Sequence, residues 1–213
     1  MQIIVDKLYP SFLEKEKIVG SQCWNQRMEF NAGEKIHFIA PSGRGKTSLI
    51  NFLYSIRQDY DGQILYNKKN IKSKTADELA LLRSNSVSII FQDLKLFPNH
   101  TVSENLEVKR KLNPYHSHQR MEEMTEQLGI SSKLSKPVST CSYGEQQRVA
   151  IIRALQQPFD WLLMDEPFSH LDESNRQKAM ALIAEESAKR NAGILLADLK
   201  QRDYFNADKI IVL

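Results

Sequence analysis

Apolar positions in this chain follow two rhythms. Short unbroken runs, KIHFIA (35–40), SVSIIF (86–91), WLLMDE (161–166), GILLAD (193–198) and KIIVL (209–213), have the length and continuity of buried strands. The apolar start, MQIIVDKLYP, reads as a first strand. Between the runs the spacing turns helical. One helix is predicted from Gly45 through SLINFLYSI, and Tyr60, Asp61 and Gly62 read as a turn after it. Strands apolar on both faces and separated by helices predict an α/β fold with a largely parallel sheet.

The texture changes between Gln92 and Cys141. TVSENLEVKRKL opens with a capping box made by Thr101 and Glu104, and SHQRMEEMTEQLG has helical spacing ending at Gly129. With no convincing strand, this stretch is expected to form a helical lobe inserted into the α/β core. The charges of EVKRKL are expected on a solvated face, and His116 and His118 on opposite sides of a solvated helix start.

Composition narrows the picture only a little. The 213 residues are 41% hydrophobic and 26% charged, as in ordinary globular chains. A net charge of +3 gives no argument for nucleic acid, and no nucleic-acid partner is expected. Cys23 and Cys141 have no metal-ligand spacing and read as reduced thiols. No secretory signal is visible, and the apolar runs are far shorter than the roughly 20 residues of a membrane span. Any membrane role therefore needs another chain to cross the bilayer.

Three stretches carry the chemistry. IAPSGRGKTSL nearly matches the phosphate loop G-x-x-x-x-G-K-[ST], with Ala40 at the first glycine. In such a loop the backbone N–H groups of Ser42, Gly43, Arg44, Gly45 and Ser48 can face phosphate at a helix N-terminus. Lys46 can reach the outer phosphates and Thr47 can ligate Mg²⁺. In DWLLMDEP an apolar strand ends in two carboxylates, Asp165 suited to Mg²⁺ and Glu166 to polarising a water. In CSYGEQQRVAIIRAL, Ser142, the Gly144 amide and the helix start could hold a second anion.

In this order the three stretches resemble the ATP-binding-cassette (ABC) ATPases. The loop is similar to Walker A, WLLMDE to Walker B with its catalytic glutamate, and CSYGEQQR to the signature L-S-G-G-[QE]-Q-Q-R. IIFQDLKLFPNHTVSENL resembles the Q-loop region, with Gln92 in the key position, and SHLD (169–172) the D-loop. The resemblance covers almost the whole chain. Within the family it lies nearest in pattern to the lipoprotein-release, macrolide-export and cell-division ATPases.

That resemblance implies a P-loop NTPase core of the ABC type, with an antiparallel β part near the N-terminus and the inserted helical lobe. A single domain is expected over 1–213, with core segments 1–91 and 142–213 and a lobe at about 92–141. ATP and Mg²⁺ are the implied cofactors. Lys46, Thr47, Gln92, Asp165 and Glu166 would act in cis, with Thr47, Gln92 and Asp165 toward the metal. Ser142, Gly144 and Glu145 would reach the nucleotide of a second ABC subunit, self or paralogue, and Asp172 would couple the two sites. Phe12, or less directly Tyr9, would stack on adenine. A transmembrane permease would be the other partner, with the chain peripheral on the cytoplasmic face of the membrane. The alternative is a catalytically weak or non-catalytic nucleotide-binding subunit.

Departures from the family pattern are Ala40, Cys141 and Tyr143 in the signature, and a missing histidine after GILLAD. Either Asp198 or Ala197 takes that position, depending on the alignment. An unpaired aspartate about 4 Å from a phosphate charge would be repelled by roughly 4 kcal/mol at an effective dielectric of about 20. Lys200 is the nearest replacement cation along the chain. Retained binding with slowed hydrolysis is the expectation, since losing one orienting group costs about 10²–10⁴ in rate.

Overall fold

A computed structural model describes residues 1–14 and 20–213. Two sheets form its frame. Strands β1 (Ile3–Pro10), β2 (Arg27–Phe30), β4 (Tyr60–Tyr66) and β5 (Lys69–Asn70) make an antiparallel sheet in the order β2-β1-β4-β5. Strands β3 (Lys35–Ile39), β6 (Val87–Ile90), β7 (Trp161–Asp165), β8 (Gly193–Asp198) and β9 (Lys209–Val212) make the second, in the order β6-β7-β8-β3-β9, and its pairs are parallel. Every residue of β6, β7 and β8 is buried, which is why these strands read as unbroken apolar runs.

The turn expected at Tyr60, Asp61 and Gly62 is instead the start of β4, paired with β1 across an irregularity between Asp6 and Tyr9. Gly62 takes φ 84° there, and a Cβ on it would lie 2.2 Å from the Lys7 carbonyl oxygen. A glycine that permits a bulge carries the same local signature as one that makes a turn.

Helix α1 (Lys46–Leu53) follows β3 through the phosphate-loop segment and stops three residues before Ile56. Helix α2 (Ala76–Asn85) begins with a capping box of Thr75 and Glu78. The segment between β6 and residue 142 holds α3 (Val102–Leu112) and α4 (His118–Gln127), with one isolated bridge, Thr101 to Pro137, and no strand. The Thr101–Glu104 capping box forms as its spacing predicts, a device worth about 1 kcal/mol. Helix α5 (Tyr143–Leu155) packs against α3 and α4, and α6 (Glu173–Lys189) against α5.

Two hydrophobic clusters divide the interior. One joins the antiparallel sheet to one face of the parallel sheet and to α1, through Phe30, Phe38, Phe52 and Trp161. The other joins the opposite face to α3–α6, through Leu106, Met124, Ile152, Leu162 and Ile183. Among the described residues no helix is long and apolar enough to cross a membrane.

Two expectations for the lobe need correction. His116 precedes α4 instead of lying on it, and it is not solvated: its Nε2 lies 2.9 Å from the buried Glu186 carboxylate. The EVKRKL face is not uniformly solvated either. Burial pushes the Lys109 ammonium down to about 8, and the charges of Arg153 and Arg83 add to the effect.

Candidate functional site

Parallel pairing brings the C-terminal ends of β6, β7, β8 and β3 to one edge of the sheet, where open α/β folds bind ligands. Gln92 follows β6, Asp165 and Glu166 end β7, Asp198 ends β8, and Ala40 follows β3. Residues scattered over nearly 160 positions thus stand side by side, in the order set by the sheet.

The phosphate loop is well formed. Gly45 takes φ 92°, and its missing Cβ makes room for Trp24: an added Cβ would lie 2.8 Å from the Trp24 ring. The buried Trp24 indole also donates from Nε1 to the Arg44 carbonyl at 3.2 Å. Trp24 is a support that sequence reasoning missed, because nothing local ties it to a loop 20 positions away. Ala40 is tolerated because its φ is not positive, so no glycine is required there. Its N–H donates to the Asp198 carbonyl at 3.2 Å.

The Lys46 ammonium donates to the Ala40 carbonyl at 2.8 Å and the Pro41 carbonyl at 3.1 Å, and lies 3.4 Å from Glu166. Glu166 is held at φ 46°, a left-handed backbone that non-glycine residues seldom adopt outside functional sites. Its N–H donates to the Ala197 carbonyl, which ties it to β8.

Phe12, Ser42, Gly43, Gly45, Lys46, Thr47, Ser48, Gln92 and Glu166 surround one cavity of about 260 Å³. Phe12 is exposed at its mouth, with the Arg57 guanidinium over its ring at 4.5 Å. Tyr9, the substitute aromatic, turns its hydroxyl inward to the Leu13 carbonyl.

Asp165 lies buried at the end of β7. Its Oδ1 is buried with no hydrogen-bond partner among the described residues. Burial pushes its carboxyl up to about 6 and the Glu166 charge adds to that, while a Thr47 hydrogen bond and the Lys46 charge oppose it. The Thr47 hydroxyl lies 3.2 Å from Gln92 Oε1. An orphaned carboxylate oxygen beside a hydroxyl and an amide oxygen is a hard, oxygen-only donor set that fits Mg²⁺. Among the described residues no group of three or more His, Cys, Asp or Glu side chains could hold a metal, so the remaining ligands would come from phosphate and water.

The second group of predicted residues lies elsewhere. Ser142 caps α5, its hydroxyl accepting from the Glu145 N–H while the Glu145 carboxylate accepts from the Ser142 N–H. That backbone hydrogen bond, with help from Lys133, holds the Glu145 carboxyl below its ordinary value. Asp172 caps α6 by accepting from the Asn175 N–H at 2.8 Å. Gln147 links the two motifs, donating to Ser169 Oγ and accepting from the His170 N–H. Ser142, Gly144, Glu145 and Asp172 do not line the phosphate-loop cavity. Tyr143 does reach toward it: its hydroxyl donates to the Gln92 carbonyl at 3.3 Å and its ring packs on His170.

Of the two alternatives for the missing histidine, Ala197 is buried in β8, and Asp198 is buried and paired. Its carboxylate accepts from Arg202 Nε at 2.7 Å and Nη2 at 2.8 Å, and from the Leu199 N–H at 2.6 Å. The repulsion expected from an unpaired aspartate therefore loses its premise. Lys200 is exposed, and Arg202, four residues after Asp198, is the cation that turns back.

Comparison with known proteins shows the family and the fold. The family described as ABC transporter matches residues 24–169. The macrolide export ATP-binding/permease protein MacB of Marinobacter nauticus is 34% identical over 77% of this chain, which spans 26% of that protein's length. The thiamine import ATP-binding protein ThiQ of Haemophilus influenzae is 32% identical over 90% of this chain and 87% of its own. Among solved structures, the dimeric bacterial ABC transporter cassette MJ0796 superposes with a TM-score of 0.83 at 22% identity, covering 99% of this chain and 94% of its own. Its post-hydrolysis dimer with ADP and Pi gives 0.84 over the same shares.

Proposed function

The chain belongs to the ABC transporter family, and we propose that it is an ATP-binding cassette with ATPase activity. From that premise we propose that two such subunits close head to tail around ATP on the cytoplasmic face of a membrane and drive a conformational change in a transmembrane permease. The observation that carries this reading is the split between the two groups of site residues. Phe12, Ser42, Gly43, Gly45, Lys46, Thr47, Ser48, Gln92 and Glu166 line one cavity, while Ser142, Gly144 and Glu145 sit outside it on a separate helix start. A site divided in this way is filled from a second subunit.

Within the cavity the loop amides from Ser42 to Ser48 cradle phosphate, Lys46 neutralises its outer charge and Phe12 stacks on the base. Thr47, Gln92 and Asp165 would hold Mg²⁺, which when bound supplies charge neutralisation for the phosphate oxygens. Glu166 orients and polarises the attacking water, and Gln92, at the junction with the helical lobe, reports occupancy to that lobe. Across the dimer, Ser142 and the α5 N-terminus meet the terminal phosphate, and Asp172 couples the two sites.

ATP turnover by the purified chain should rise with protein concentration and vanish in Glu166→Gln. Turnover per chain that is constant across concentrations would count against the shared site. A catalytically weak or non-catalytic subunit is the second reading, favoured by the lack of a histidine after GILLAD, where Asp198 or Ala197 stands instead; nucleotide binding without turnover at any concentration would select it.

A further inference from the structure

We propose that Tyr143 is a positioning residue that ties the start of α5 to Gln92, so that a metal–nucleotide complex in this chain's own cavity steadies the helix start offered to a second subunit. The inference rests on the proposed shared ATP site and adds a residue to it. The signature pattern has glycine at this position, with no side chain to make such a tie.

Three observations converge. The first is continuity. The Thr47 hydroxyl lies 3.2 Å from Gln92 Oε1, and the Gln92 carbonyl accepts from the Tyr143 hydroxyl at 3.3 Å. Thr47, Gln92, Asp165 and Tyr143 also line a cavity of about 470 Å³ that shares Thr47 and Gln92 with the phosphate-loop cavity. One residue thus meets the metal position with its side chain and Tyr143 with its backbone.

The second is the seat of the ring. Tyr143 packs on His170 with ring centroids 4.2 Å apart, and the His170 N–H donates back to Gln147 of α5 at 3.0 Å. Gly144 comes so close to this turn that an added Cβ would stand 3.0 Å from the His170 carbonyl oxygen. The apolar body of the ring is therefore supported and its polar tip directed.

The third is a contrast between two ties. Arg153, further along α5, donates to the Leu94 and Lys95 carbonyls at 2.7 Å and 2.8 Å, which anchors the far end of the segment after β6. Tyr143 is 42% exposed and holds the near end by one neutral hydrogen bond. A charged fork anchors, whereas a single neutral bond is made or lost as Gln92 shifts. A metal held by Thr47, Gln92 and Asp165 would fix Gln92, and with it the carbonyl that Tyr143 needs. The start of α5 then loses freedom before a second subunit arrives.

The test is hydrogen exchange at residues 141–147 in the full chain, in Tyr143→Phe and in Tyr143→Gly, with the β,γ-imido analogue of ATP and Mg²⁺. It is run at concentrations where sedimentation shows monomers. Tyr143→Phe keeps the ring on His170 and removes only the hydroxyl. Equilibrium binding of the analogue is measured alongside, and circular dichroism melts identify any variant that fails to fold. In the parent chain the Mg²⁺ complex should slow exchange of this segment about fivefold, the scale of one neutral hydrogen bond, and the analogue with EDTA should not. Both variants should lose that slowing while binding the analogue within about twofold of the parent. Slowing of parental size in either variant, slowing that persists in EDTA, or none in a parent chain that has bound the analogue would overturn the tie. So would a variant that loses nucleotide affinity in step with the slowing, since Tyr143 would then belong to binding. A parent chain that binds no nucleotide would overturn the ATP-binding reading itself, and the inference with it.

Discussion

Two buried carboxylates behave in opposite ways. Glu186, on α6, is fully buried and met by three cations, Arg120 at 2.8 Å, Arg190 at 2.7 Å and Lys189 at 3.0 Å, with His116 Nε2 at 2.9 Å beside them. Burial alone would raise its pKa, but hydrogen bonds from these four overcome that and hold it well below the ordinary value. Asp165, at the end of β7, is buried with an orphaned oxygen and is pushed up to about 6. Glu186 ties α4 and the start of the lobe to the core and has no capacity left. Asp165 keeps one oxygen without a partner among the described residues. Burial of an acid therefore does not mark a ligand site; unmet demand at a buried acid does.

The largest effect that could break this contrast is at Glu186. Glu186→Leu leaves Arg190 and His116 facing each other without an anion and should cost about 3–5 kcal/mol in urea denaturation, because removing one partner strands buried charge. A midpoint unchanged from the parent would make the cluster decorative. Asp165→Asn should do the reverse. Its melting midpoint should hold or rise, since a costly buried charge is removed, while Mg²⁺-dependent ATP turnover falls at least about a hundredfold. A variant that loses stability and keeps turnover would exchange the roles assigned to the two acids.

His37 offers the smallest and sharpest test. It is buried on β3 with neither ring nitrogen hydrogen-bonded among the described residues, and burial lowers its pKa from 6.5, with Arg202 adding to the effect against Asp198. Above pH 6.5 both folded and unfolded states are neutral at this residue. As pH falls below 6.5 the unfolded chain takes up a proton more readily than the folded chain, so stability declines. Glu186, with its lowered pKa, keeps its contribution down to about pH 4.5 and is silent from 6.5 to 5.5, whereas Asp165, raised to about 6, adds stability as pH falls through that window, so the histidine is read in an Asp165→Asn background. His37→Phe should flatten the pH dependence of the denaturation midpoint in that window. An unaltered slope would show that another group titrates there.

Much of the chemistry was legible in the chain because it is local. The phosphate loop, the WLLMDE strand end and the Ser142 capping box each need residues a few positions apart, and each forms where its spacing places it. The capping boxes of α3 and α5 and the buried β6, β7 and β8 follow from the same short-range rules. Tyr60, Asp61 and Gly62 were misread because a bulge and a turn demand the same backbone freedom, and only the partner strand tells them apart.

What the tertiary structure decided is who meets whom. The sequence by itself determined that no histidine follows GILLAD and left Ala197 and Asp198 as alternatives for its place, but only the fold shows the Asp198 charge answered by Arg202. Trp24 under Gly45, Tyr143 on the Gln92 carbonyl and His116 on Glu186 are of the same kind. A side chain's type and spacing set what it can do. Whether its charge and hydrogen bonds are met depends on neighbours tens of positions away, and those are chosen by sheet order and packing.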